Sequence, residues 1–335
     1  EISECLVGSE MCIRDSTQWV DELFLSTTSQ KHNVSVVGSS ENTNYLLSFG
    51  YLDNPGTLKN TGLKNYSGRI NIETQITKFL KVGTQTYATF QTREPGNTSF
   101  TYMYQNTPAV TPYHDGKYGV SVDGASTSNL LADVMSRGGS YDDTRLNTTW
   151  YAKVNILDGL TAEARFNYQT LFNETATYSR KVDKQNFRTG EIIPGVSSST
   201  ATTSRATTRY QNHTNTATIN YAKTFGKHDI SILLGTEQYY WNVKGFSATR
   251  TGLLDLDLPD FTAALDLLDP TLGGTAEQDY GVISYFGRLN YAYKNRYLLE
   301  ANFRRDGSSR FGPDSRWGTF LSLIHISEPT RHSLI

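Results

Sequence analysis

Alternation with a period of two runs through this chain and dictates a sheet. From Leu146 to Ile156 one side of an extended backbone carries Leu146, Thr148, Trp150, Ala152, Val154 and Ile156, and the other carries Asn147, Thr149, Tyr151, Lys153 and Asn155. The next segment repeats the split, with Leu160, Ala162, Ala164, Phe166 and Tyr168 opposing Thr161, Glu163, Arg165, Asn167 and Gln169. Ile283, Tyr285, Leu289, Tyr291 and Tyr293 oppose Ser284, Arg288 and Asn290, and Ile70, Ile72 and Ile76 oppose Arg69, Asn71, Glu73 and Gln75. Such a sheet has one oily side and one wet side.

The pattern predicts strands over 33–38, 44–51, 66–76, 81–93, 146–156, 161–172, 208–223, 229–241, 280–293 and 297–306, with a last one beginning near Arg316. Several run about 11 to 16 residues, longer than the five or six usual in globular sheets and long enough to cross a bilayer at a tilt. The connections 39–43, 77–80, 157–160, 224–228 and 294–296 are short, whereas those at 52–65, 94–145, 173–207, 242–279 and 307–315 are mostly much longer. Short turns on one side and long loops on the other fit an up-and-down membrane barrel, whose two rims face different surroundings. Phe79, Tyr87, Phe90, Phe172, Tyr239, Tyr240, Trp241, Tyr291, Tyr293 and Tyr297 sit near strand ends, where interfacial girdles place aromatic residues. The expected fold is therefore all-β, a partial transmembrane antiparallel barrel of ten or eleven strands. A soluble β-sandwich or adhesin module is the alternative, but its strands should be shorter and its loops unsorted.

Composition agrees. The 335 residues include 37% apolar and 12% aromatic residues, with 21 Tyr, and no run of about 18 apolar residues that would form a membrane helix. The 31 basic and 33 acidic side chains nearly balance, which gives no footprint for nucleic acid. His32, His114, His213, His228, His325 and His332 are scattered, and Cys5 and Cys12 have no metal-ligand spacing, so neither a metal site nor a cofactor is expected. No phosphate-cradling glycine motif and no close Ser/His/Asp grouping points to an enzyme, such as a barrel phospholipase or protease. Charged residues on the wet side, including Arg69, Glu73, Glu163, Arg165, Arg288, Glu300 and Arg304, are expected to line a hydrated lumen. The stretch 253–268 reads either as a short helix after Pro259, on the spacing of Phe261, Leu265 and Leu268, or as another loop with apolar packing.

The densest polar run, Arg304 to Gly318, is expected to be a tight return between two strands, with Asp306, Gly307, Gly312 and Pro313 setting turns and its arginines paired with Asp306 and Asp314. It also carries a resemblance. The stretches Trp19–Phe24, Tyr45–Tyr51, Tyr66–Asn71 and above all Tyr285–Phe320 resemble the SusC/RagA family of TonB-linked outer-membrane transporters, over about residues 17–320. The signature positions are Tyr285, Gly287, Arg288, Asn290, Asp306, Gly307, Arg310, Phe311, Gly312, Arg316, Trp317 and Gly318, all expected to act structurally. The resemblance implies a barrel of about 22 strands filled by a plug, capped by a SusD-like lipoprotein and energised by the TonB complex. It implies import of oligosaccharides or peptides across the cell outer membrane. Tyr102, Tyr104, Tyr113 and Tyr118 are the rings of the long loops that would meet such cargo or the lid.

The ends depart from this pattern. Glu4–Ser16 and Ser322–His332 resemble translated sequencing-adapter read-through, so residues 1–16 and 321–335 are expected to be foreign tails. Residues 17–320 are then expected to be the N-terminal half of the barrel, without plug or signal peptide. An open sheet in hydrocarbon leaves unpaired backbone at its two edges. Expressed alone, the chain is expected to aggregate or be degraded; a detergent extract giving a monodisperse, heat-resistant, β-rich monomer would overturn this.

Overall fold

A computed structural model describes residues 17–96, 108, 110, 112–113, 116–120, 129–186, 189–193, 201–252, 260–264 and 271–327. Both cysteines, His114, His332, Tyr102, Tyr104 and most of 253–268 lie outside the described residues. One sheet dominates. Its long strands are β1 (Gln30–Ser39), β2 (Thr43–Pro55), β3 (Thr61–Gln75), β4 (Leu80–Pro95), β6 (Arg137–Leu157), β7 (Leu160–Ser179), β9 (Thr202–Phe225), β10 (His228–Thr251), β12 (Gln278–Tyr293), β13 (Tyr297–Ser308) and β14 (Trp317–Ser327), side by side in chain order. Each pairs antiparallel with the next, β11 (Thr271–Gly273) adds to β10, and β5 (Tyr118–Val120) pairs with β8 (Lys184–Asn186) in a separate parallel ribbon. No helix among the described residues is long and apolar enough to cross a membrane, which leaves strand crossing untouched.

The meander matches the expected strand order, but four strands run well past their expected ends. β6, β7, β9 and β10 have 21, 20, 24 and 24 residues, and the added length lies on the side of the long connections. The reason is environmental. Period-two contrast exists only where one face meets an apolar phase; beyond it both faces are wet, and Thr202, Thr203, Thr207 and Thr208 on β9 pair with β10 without any alternation to announce them. The expected loop at 52–65 shrinks for the same reason to residues 56–60, because Leu52–Pro55 continue in register against Gly62–Asn65. Within 253–268 the described residues form only a 3-10 turn, Phe261–Ala263. Asp260 caps it, accepting from the Thr262 backbone (2.8 Å) and hydroxyl (2.6 Å), and these bonds lower its pKa.

The short turns are tight. Lys294 and Asn295 both have positive φ (52° and 54°), the requirement of a two-residue turn that matches strand twist. On the opposite rim the connections build a small apolar core. Helix α1 (Trp19–Leu23) and helix α2 (Leu130–Met135) bring Trp19, Leu23, Leu130, Leu131 and Val134 against Leu58 and Val110, with Phe24 and Tyr118 packed on the outside. The buried Asn129 closes this core: its Oδ1 accepts from the Ala132 N–H (2.9 Å), and its amide donates to the carbonyls of Pro112 and Gly119 (both 2.8 Å). Chain therefore enters β1 from the long-loop rim, where Lys59 and Leu25 also bond across to Leu23 and Thr57.

Rings dictate several glycines of the sheet, Gly83 and Gly307 among them. A β-carbon on Gly83 would lie 2.4 Å from the Tyr151 ring, and one on Gly307 would lie 2.8 Å from the Trp317 ring. Each ring lies over the bare backbone of the neighbouring strand and fixes register there. In urea unfolding, Gly307→Val is expected to cost about 1–3 kcal/mol by overpacking, with a red shift of the displaced Trp317 emission. Leu23 is 0% exposed, so Leu23→Ala should cost about 2–5 kcal/mol locally. Hydrogen exchange should then rise at 129–135 while the sheet stays protected; unchanged exchange in that core would refute its role as the clamp on the rim.

Candidate functional site

Register carries the two faces from β1 through β13 and into the start of β14. On one side the pairs Val36↔Leu47↔Ile70 begin an apolar surface that continues through Trp150↔Phe166 and ends at Leu289↔Ala301↔Leu323. Its large side chains stay exposed, including Phe49, Ile70, Trp150, Leu234 and Tyr285. A contiguous exposed apolar surface of this extent needs an apolar phase to cover it. The histidines that were scattered in sequence share this face: His32 stacks on Tyr51, His213 lies between Phe166 and Tyr240, and His228 packs against Tyr293 with Nδ1 2.8 Å from the Tyr291 hydroxyl. They join the aromatic edge of the band rather than converge on a metal.

The other face is polar and built from ion pairs and neutral rows. At one end Glu73 accepts from Lys81 (2.9 Å) and from the Tyr151 hydroxyl (2.8 Å), while the Arg165 guanidinium covers the Tyr151 ring at 5.2 Å. At the other end Arg304 donates from Nε to Asp306 (2.8 Å) and from Nη2 to Ser284 (3.0 Å), with Glu237 3.6 Å away. These side chains are about half exposed, so their pairing sets geometry more than stability.

The signature residues come together at the β12–β13–β14 end. Arg288 donates to Asn302 (2.8 Å) and reaches Glu300, which faces Asn290 across the ladder. Tyr285 stacks on Trp317 (6.2 Å), whose ring occupies the space above Gly307, and Gly287 leaves room for Leu234. The connection 309–316 is narrower in its uses than expected. Asp306 lies inside β13 rather than at a turn, and among the described residues no ion pair reaches Asp314. Arg310 instead covers Tyr280 at 3.9 Å, and Arg316 donates to the Phe311 carbonyl (3.5 Å), because Gly312 and the Pro313–Ser315 turn bend the loop back toward the sheet. Gly318 faces Asp306.

Of the four loop tyrosines, the two that are described form one pair, Tyr113 and Tyr118, 5.0 Å apart. Tyr118 is committed to the rim core, and burial, helped by the Tyr113 phenol, pushes its hydroxyl above the ordinary value. A cavity of about 700 Å³ on the polar face, near the short turns, is walled by Ser231, Asn290 and Glu300 together with Ile324 and Ile326. Those two isoleucines put apolar side chains on the polar face while His325 turns to the apolar one, so the two-face pattern fails in this part of β14.

Comparison with known proteins fits this geometry. No family model matches the chain. It is 25% identical over 327 residues to the TonB-dependent receptor P3 of Formosa agariphila, and 25% identical over 338 residues to the TonB-dependent receptor SusC of Bacteroides thetaiotaomicron. Each alignment covers 92% of this chain but 31% and 32% of the relative, so the chain spans about a third of the length of the curated relatives it matches. Among solved structures, the RagAB peptide transporter superposes with a TM-score of 0.75 at 21% identity, and its closed-closed state with 0.76, each over 92% of this chain and 35% of that one. The relatives are transport receptors, not enzymes. By sequence and by fold, the chain is a homologue of the SusC/RagA-type TonB-dependent receptors over part of their length.

Proposed function

We propose that this chain is a segment of an outer-membrane, TonB-dependent active transporter that imports oligosaccharides or peptides. The observation that carries the reading is the division of faces that holds from β1 through β13: strands in register, with lipid-type side chains on one side and hydrated ion pairs and amides on the other. The sorted rims support the orientation, with short turns in the periplasm and long connections outside. In the complete receptor a SusD-like lipoprotein lies over the long-loop rim, the TonB complex supplies the energy, and outer-membrane lipid covers the apolar face. The rigid core around Leu23 and Leu130 gives that rim a firm surface for a lid.

Residues 17–320 constitute the barrel segment in this reading, and residues 1–16 and 321–335 are the foreign tails. The failure of the face pattern at Ile324 and Ile326 supports that division, since backbone pairing along the free edge of β13 requires only an extended chain. The signature residues act structurally, through the Trp317 ring over Gly307 and the Arg304–Asp306 pair.

Tryptophan placement tests the reading. Trp150 and Trp317 belong to the apolar face and Trp241 to the polar one. The segment is tested within a full-length receptor of this type, purified in detergent micelles doped with dibrominated lipid, using variants that keep one of these three tryptophans at a time and no other. Strong quenching of Trp150 and Trp317 with little quenching of Trp241 is the expected result. Equal quenching of all three would mean that no face is reserved for water, and the transporter reading would fall.

A further inference from the structure

Three rings converge on the polar face level with the start of β12 and with the β13–β14 connection, ten residues short of the end of β10. Tyr239 and Trp241 of β10 lie 5.8 and 5.4 Å from Tyr280 of β12, and Arg310 from the β13–β14 connection folds back over the Tyr280 ring. Rings at this level on the apolar face serve as interfacial anchors. On the polar side no lipid is present, and Trp241 is the one tryptophan of the chain's four that points there: Trp19 is in the rim core, and Trp150 and Trp317 face outward. Neither membrane anchoring nor the rim core accounts for these rings.

Their surroundings are unusually neutral. The ladder row that ends at Trp241 and Tyr280 reads Asn147, Gln169 and Asn212 on the three strands before it. The row beside it reads Gln85, Thr149, Asn167, Thr214 and Tyr239. Neither contains a charged side chain between β4 and β12, whereas the next row toward the short turns holds Arg165, Glu237 and Asp306. Amides and hydroxyls both donate and accept; within the rows the Asn167 amide N–H groups donate to Asn147 Oδ1 (2.9 Å) and Thr149 Oγ1 (2.8 Å).

We propose that Tyr239, Trp241, Tyr280 and Arg310, with the amide rows beside them, form a binding track for a neutral oligosaccharide at the mouth of the lumen. The proposal rests on the transporter reading and narrows its cargo. A pyranose presents C–H faces that stack on aromatic rings and hydroxyls at its rim that match amides in either sense. The Arg310 guanidinium, exposed above Tyr280, supplies further donors to ring and glycosidic oxygens. Apart from Arg310 at one end, a charged peptide finds no counter-ion along these two rows, and its desolvated charges are penalised there.

The test uses a full-length receptor carrying this segment in zwitterionic detergent, with Trp19, Trp150, Trp317 and every tryptophan outside the segment replaced by Phe so that Trp241 alone reports. Maltohexaose, cellohexaose and laminarihexaose are titrated against hexagalacturonate and a charged hexapeptide. At least one neutral hexasaccharide should shift Trp241 emission and saturate, with Tyr280→Ala weakening it about tenfold and Tyr285→Ala, on the other face, leaving it unchanged. Protection of Trp241 from bromosuccinimide oxidation by the same sugar gives a second measurement. No response from any neutral sugar, or a stronger one from the hexapeptide or the hexagalacturonate, overturns the proposal. Brominated-lipid quenching of the same sample separates the two failures: Trp241 shielded from lipid but silent to sugars refutes the track alone, whereas Trp241 quenched by lipid refutes the transporter reading beneath it.

Discussion

The antiparallel hydrogen-bond ladder is the constraint on which everything else depends. A slip of one residue in any pair would send a whole strand's apolar side chains to the wet side and its charges into lipid. The ladder keeps continuous register from β1 to β14, with one irregularity at Asn155/Leu157 beside a short turn. It is pinned by rings laid over glycine backbones, Tyr151 on Gly83 and Trp317 on Gly307, where any other residue would push the ring away. Because these locks are spread along the sheet, partners as far apart in sequence as Glu73 and Tyr151 meet within 2.8 Å. Polar clusters thus follow from register, and register follows from backbone pairing.

Much of this was legible in the sequence, and for a physical reason. Alternation is written into a strand only where its two faces meet different phases, so β3, β4, β12 and β13 were bounded to within a few residues from their apolar rows alone. The outer halves of β6, β7, β9 and β10 were not, because Thr, Ser and Gly on both faces leave no period to read. The helix α2 was missed because its six residues are too few to show a helical period, and what holds it is a tertiary core with the Asn129 side chain at its start.

The ring cluster was hidden differently. Tyr239, Tyr240 and Trp241 are adjacent in sequence and read as one interfacial group, yet successive residues of a strand point to opposite sides. Only Tyr240 joins the apolar band, with His213, while Tyr239 and Trp241 turn inward and meet Tyr280, about forty residues away along the chain. Arg310 could not have been assigned to them at all, since its place depends on how the 309–316 connection folds back. The signal available in advance was the parity of 239 and 241 against that of Ile230, Ile232 and Leu234 on the same strand.

Strand direction adds a condition on closure. The chain enters β1 from the long-loop rim, and with eleven strands in an up-and-down meander β14 runs the same way as β1. Joining those two edges, within one copy or between two, would give a parallel pair in an otherwise antiparallel wall. Pairing β1 with β1 of an inverted copy restores antiparallel bonds but sets long loops beside short turns, which no single membrane orientation accepts. An antiparallel barrel that contains this sheet therefore needs an odd number of further strands between β14 and β1, and the even totals of bacterial outer-membrane barrels meet that condition. The free edges are thus compatible with lipid only when a longer wall supplies their partners, and the polar face becomes a lumen only when that wall closes around it.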